Sequence, residues 1–179
     1  MKIYIIRHAR VDMEWPDRCT SHKFEELMDL YNTSNIDPVK EPAMNVPCNN
    51  IYVSNLVRSL KTAQGLFPNA EHKKLEDIME VPISPYKDTE GLVTVWSWNF
   101  FGRLQWFLNN RRQPEVRKDT YKRAQRVVDV LEDGGLDCVL VSHAFFIKTL
   151  VKVLKKNGYK VEGDRPSGLR NLEMVIAYK

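Results

Sequence analysis

The chain has 179 residues, 43% of them hydrophobic, and carries a formal net charge of +4 from 27 basic and 23 acidic side chains; that is enough for one sizeable core and short for two. The apolar run at the start is interrupted by Arg7, too short for a signal-peptide core or a membrane span, and no other segment approaches spanning length, so the expectation is a cytoplasmic chain that does not enter the membrane. Cys19, Cys48 and Cys138 form no C-x-x-C pair, which suits a reducing compartment, and Cys19 with His22 is only half a metal site, so no metal or cofactor is expected.

In chain order, "KIYIIRH" at 2–8 predicts a buried strand from its β-branched content. "HKFEELMDLYN" predicts a helix with Thr20 or Ser21 as cap and acids in its first turn. "SNIDPVKEPAMNVPCNN", rich in proline and turn formers, predicts a loop. "NIYVS" predicts a second strand, and Ser54 or Asn55 is placed to cap the helix "LVRSLKTAQGLF", which Gly65 and Pro68 help end.

"KLEDIMEVPIS" reads as a strand edge running into a loop. The Trp-rich segment from Leu92 to Leu108 and "KDTYKRAQRVVDVLEDGG" both have helical spacing, the latter stopping at Gly134 and Gly135. The basic residues Arg111, Arg112, Arg117, Lys118, Lys122, Arg123 and Arg126 read as a solvated helix face; nucleic-acid binding would need a denser patch with stacking aromatics. "DCVLVSH" predicts a third buried strand, "AFFIKTLVKVLKKNG" a helix and "LEMVIAY" a last strand. Strands alternating with helices predict a single α/β domain over 1–179 with a mostly parallel sheet.

"YIIRHA" and "VLVSHA" each end an apolar run with His then Ala. Ligand sites in open α/β sheets gather beyond the carboxyl ends of parallel strands, which brings His8 and His143 to one edge. A histidine at one strand end is commonly a packing residue; two in the same situation point to chemistry. Arg58 falls in the first turn of the helix after "NIYVS", where free N–H groups already favour an anion.

"RHA", "YVSNLVRSLKTA" and "VSHA", in that order and spacing, resemble the histidine phosphatase (phosphoglycerate mutase-like) superfamily over nearly the whole chain. The resemblance implies a three-layer α/β/α sandwich and a helical cover around 85–112. It implies that Arg7, His8, Arg58 and His143 form the catalytic core, with His8 attacking phosphorus to give a phosphohistidine and the others holding the phosphoryl oxygens. The substrate would be a small phosphorylated molecule. The family also places a proton donor between the second Arg and the second His; Glu76, Asp77 and Glu80 are candidates, and Glu80, before "VPIS", matches best. Arg10, Arg103 and Ala144, which follows His143 in the motif, are candidates for substrate contact.

Trp96, Phe100, Arg103 and Phe107 share one helical face, with Trp98, Phe101 and Gln105 on another; core packing is the plain expectation for most of these rings. Ala9 and Ala144 stand where the family commonly has glycine, so those turns need ordinary backbone angles. "RHARVDMEW" lacks the Glu-Ser-x-Trp-Asn continuation of the mutases, which favours hydrolysis over a mutase-type phosphoryl transfer. A non-catalytic phosphate-binding module is the alternative of another class, though a binder needs neither nucleophile nor acid. Cysteine-dependent, aspartyl-phosphate and P-loop chemistries are excluded because C-x-x-x-x-x-R, D-x-D and G-x-x-x-x-G-K are all missing from the sequence.

Overall fold

The computed structural model describes residues 1–40, 46–165 and 168–179. In order it comprises β1 (Lys2–Arg7), β2 (Arg18–Cys19), α1 (Ser21–Thr33), β3 (Ile51–Val53), α2 (Val57–Leu66) and β4 (His72–Lys74). A 3-10 turn (Glu76–Ile78), β5 (Val93–Thr94), α3 (Val95–Phe107), α4 (Arg117–Gly134), β6 (Cys138–Ser142), α5 (Ala144–Lys156), β7 (Lys160–Glu162) and β8 (Met174–Tyr178) follow. Part of the loop expected over 34–50 falls on residues 41–45, outside the described residues.

Six strands form one sheet in the order β4-β3-β6-β1-β8-β7. The first four run parallel, and β8 and β7 add an antiparallel edge. Alternate side chains of the central strands enter two cores. Ile3, Ile5, Cys138 and Leu140 pack under α4 and α5, while Tyr4, Ile6, Val139 and Val141 pack against Ala63 and Leu66 of α2. Burial on both faces explains why these strands are nearly continuous apolar runs. The result is the expected layered α/β arrangement, with five helices around a mostly parallel sheet.

A third cluster joins Phe24 and Leu27 of α1 to Trp98 of α3, and the Trp98 Nε1–H donates to the Cys19 carbonyl at 3.2 Å. Gly102 lets α3 press on the chain segment that precedes it: a Cβ there would lie 2.8 Å from Ile83. Helix α4 ends as expected, with Gly135 at φ +63, a left-handed turn that glycine adopts without a Cβ clash.

Several local expectations are corrected. Thr20 caps α1 by accepting the Lys23 N–H, but Glu25 and Glu26 lie past the first turn. Helix α2 has Leu56 at its cap position and no side-chain cap; the Ser54 hydroxyl faces His143 and, of the nearby backbone N–H groups, accepts only that of Leu56 itself, at 3.3 Å. In "KLEDIMEVPIS" the strand ends at Lys74 and a 3-10 turn follows. Strands β2 and β7 escape a hydrophobic-pattern reading because they are very short, with at most one buried residue each. Of the rings expected to pack in the core Trp98 does so, whereas Trp96, Phe100, Phe101 and Phe107 are exposed. Among the described residues, no helix is long and apolar enough to cross a membrane.

Candidate active site

Parallel pairing of β1 with β6 places Arg7 opposite Ser142. The residues one step beyond, His8 and His143, therefore leave the sheet side by side, and the His8 N–H donates to the Ser142 carbonyl at 3.0 Å. Their rings lie 5.0 Å apart between centroids, with 2% and 0% of the residues exposed.

Hydrogen bonds assign both tautomers. The His8 Nδ1 is 2.6 Å from the Ala9 carbonyl, which only accepts, so Nδ1 carries the proton and Nε2 keeps its lone pair. Arg58 Nε donates to His143 Nδ1 at 3.2 Å, so the His143 proton is on Nε2, directed to the Ser54 hydroxyl at 2.6 Å. Burial, then Arg58 and then Arg7, depress His8 from 6.5 to about 3, against the Ala9 bond. Burial first, then Arg58, hold His143 well below its ordinary value. Both imidazoles are neutral near pH 7.

Arg58 is 1% exposed and forms the hub of the site. Its Nη1 donates to Asn32 Oδ1 at 3.1 Å, and its guanidinium lies over the Tyr31 ring at 4.6 Å. One turn on, the Thr62 hydroxyl donates to the Arg58 carbonyl at 2.6 Å and accepts the Ala9 N–H at 2.9 Å. The four-residue spacing of Arg and Thr on α2 thus serves two ends: the arginine faces the histidines, and the threonine fixes the turn after His8. Arg7 donates from Nη1 to the Leu169 carbonyl at 2.6 Å, and its buried Nε has no partner among the described residues.

Glu80 reaches the same end of the sheet by a different route. Its carboxylate accepts the Val81 N–H at 2.9 Å, the Phe146 N–H at 3.0 Å and the Phe145 N–H at 3.3 Å. It therefore caps the otherwise uncapped start of α5, where the helix dipole favours negative charge. Of the other two acid candidates, Asp77 pairs with Arg126, and Glu76 lies beside it in the 3-10 turn.

A cavity of about 930 Å³ opens beside these groups, with Arg58, Glu80 and Arg103 in its wall together with Trp15, Met28 and Asn99. Of Arg7, His8, Arg58 and His143, Arg58 is the one in its wall, and its Nε bond ties the cavity to His143. Arg123 and Arg126, also in the wall, are paired with Glu115 and Asp77. Among the described residues, Arg58 and Arg103 have no carboxylate at ion-pair distance, so their charge is available to an anion in the cavity. Arg103 Nη1 donates to the Val81 carbonyl at 3.0 Å, and its guanidinium stacks 3.9 Å from the Phe145 ring centroid.

Arg10 is not gathered into this site: it is exposed, and its Nε donates to Asp37 at 2.8 Å. Ala144 is the half-buried first residue of α5. Sequence reasoning missed Ser54, Asn32, Tyr31 and Thr62. Ser54 and Thr62 carried a signal, as polar residues at a strand exit and one turn after Arg58; Tyr31 and Asn32, at the end of α1, carried none.

A model of the histidine phosphatase superfamily (branch 1) matches residues 3–176. A search of curated proteins by sequence finds no match. Among solved structures, a histidine-to-alanine variant of phosphoserine phosphatase from Entamoeba histolytica aligns with TM-score 0.59 at 18% identity, covering 98% of this chain and 89% of that one. Mycobacterial glucosyl-3-phosphoglycerate phosphatase aligns with TM-score 0.57 at 15% identity, covering 98% and 88%. At these identities the structures bear on the fold, and the family match supports phosphatase or phosphotransferase chemistry. With the two strand-end histidines and the Arg58 hub in place, this chain belongs to branch 1 of the histidine phosphatase superfamily.

Proposed function

We propose that the protein is a phosphatase that hydrolyses phosphomonoesters through a phosphohistidine on His8, without a metal. One observation carries the reading: His8 is pinned through Nδ1 to the Ala9 carbonyl, kept neutral, and left with an Nε2 lone pair beside Arg7 and Arg58. A nucleophile must be unprotonated and correctly oriented, and both conditions are met before substrate arrives.

In this mechanism the Nε2 lone pair attacks phosphorus in line, the N–P bond forms and the bond to the ester oxygen breaks. Guanidinium groups suit phosphoryl oxygens geometrically and remain charged, so Arg58 and Arg7 offset the charge that spreads over those oxygens. Their charge is what makes a metal unnecessary. Glu80, which takes up a proton as the anionic substrate enters beside it, gives that proton to the leaving oxygen. As carboxylate it then takes a proton from the water that attacks phosphorus, which releases phosphate and restores neutral His8. His143 can reach an oxygen only by exchanging Ser54 or Arg58, so its first duty is to orient Arg58 Nε.

The test is hydrolysis of p-nitrophenyl phosphate with excess chelator present. Activity that survives chelation and vanishes in His8→Ala supports the reading; full activity in that variant ends it. Rapid-quench capture of an acid-labile phosphoenzyme supplies the intermediate. Phosphoryl transfer to an added alcohol in preference to water would reassign the enzyme as a transferase.

A further inference from the structure

We infer that two copies of this chain associate through the exposed aromatic face of α3. Trp96, Phe100, Arg103 and Phe107 recur at steps of four, three and four residues, the a/d spacing of a helix-packing seam. On this protomer the seam faces solvent: Trp96 is 68% exposed, Phe100 49% and Phe107 50%. Trp96 and Phe100 stack with rings 9° from parallel and 5.0 Å apart. Phe101 meets Phe100 edge-on at 5.2 Å, which extends the surface sideways.

The seam borders a groove of about 500 Å³, floored by Trp106 and by Phe145 of α5 and lined by Phe100, Leu104 and Phe107. It is concave and apolar, a shape that accepts large side chains from a facing helix. A second copy presents such side chains on the same face, so the contact can close with two-fold symmetry and the same residues on both sides.

Area decides between an ordinary exposed patch and an interface. Taking aromatic side chains at about 150–250 Å² and scaling by exposure, this face with Leu104 and Leu108 presents about 600 Å² of apolar surface. That is the top of the range for the largest patch on a monomer, about 300–600 Å². It also covers the apolar part of a standard-size interface, about 57% of roughly 800 Å² on each partner. Asn99 and Arg103 line both the groove and the catalytic cavity, so the contact braces one wall of the active site.

Sedimentation velocity on the full chain at micromolar concentration tests this, with Trp96→Asp/Phe100→Asp as the variant. Neither residue lines the catalytic cavity. The expected result is twice the protomer mass for the native chain and the protomer mass for the variant, with unchanged far-ultraviolet dichroism and a cooperative thermal transition that shows the variant folded. If the double variant does not fold, Phe107→Asp with the same readouts takes its place. A native chain that sediments as a monomer overturns the inference and leaves the groove to a substrate's apolar portion or to a foreign helix. A folded variant that remains dimeric overturns it too, by placing the interface elsewhere.

Discussion

His8 and His143 lie 5.0 Å apart on adjacent parallel strands, yet their ring nitrogens are used in opposite ways. Among the described residues, His8 spends one nitrogen on the Ala9 carbonyl and keeps the other free, whereas His143 commits both, to Arg58 and Ser54. One ring is set up to react and the other to hold.

The two alanine variants therefore separate. His8→Ala abolishes turnover with little loss of stability. His143→Ala leaves Arg58 Nε and the Ser54 hydroxyl short of a buried partner and costs about 1–3 kcal/mol, with measurable residual turnover. Urea unfolding of both, beside aryl phosphate assays, checks the order. A larger stability loss in His8→Ala would contradict the division of roles.

Acid pH should destabilise the fold through these same rings. The folded state keeps His8 neutral down to about pH 3, whereas the unfolded chain protonates it near 6.5. Between those values the unfolded state binds more protons, so stability is complete above about 6.5 and falls as pH drops toward 3. His143 is shifted in the same direction. Each ring can contribute a slope of about 1.4 kcal/mol per pH unit. Unfolding free energies from pH 7 to 4.5 should fall less steeply in His8→Asn than in the native chain; equal slopes would mean that His8 is not buried in its neutral form.

Arg58 tests electrostatics against geometry. Lysine in its place keeps a charge but loses the Nε bond to His143 and the contact with Asn32. Arg58→Lys should lower kcat/KM by about 10²–10³, the usual cost of one misplaced donor to a developing anion. Arg58→Ala should also weaken inhibition by inorganic phosphate and raise the titration point of His8, since Arg58 is one of the charges holding it down. Both are readable, by competition kinetics and by NMR of the ring protons. Unchanged phosphate inhibition in Arg58→Ala would remove Arg58 from the anion site.

Much of this geometry was legible because local rules act on local residues. Matching exits at His8 and His143 needed only two buried runs and the tendency of parallel strands to gather ligands at their carboxyl ends. Arg58 follows from its place in the first turn of α2, and Thr62, one turn on, carried a helical-spacing signal that the sequence reading passed over. By contrast, Tyr31 and Asn32 reach Arg58 only because α1 packs beside α2, a long-range fact without a local pattern. Arg10 looked promising because it stands two residues from His8, but its ion pair with Asp37 comes from a distant loop and draws it away. The cap that Glu80 places on α5 was equally hidden, since 65 residues separate it from Phe145.

That cap creates the last ambiguity an experiment should resolve, because Glu80 can matter for structure, for proton transfer or for both. Glutamine retains an acceptor oxygen for the α5 N–H groups and cannot donate an acidic proton. Glu80→Gln should thus hold most of the stability that Glu80→Ala loses, about 1 kcal/mol for a helix cap. Leaving-group dependence isolates the chemistry. Nitrophenolate departs without protonation, whereas an alkoxide needs a proton, so in Glu80→Gln kcat/KM should fall by about 10²–10⁴ for alkyl phosphates and far less for p-nitrophenyl phosphate. Because kcat/KM reports the steps up to the first bond cleavage, the later attack of water does not blur the comparison. Equal losses for both esters would leave Glu80 as the cap of α5 alone and move the proton donor to another residue.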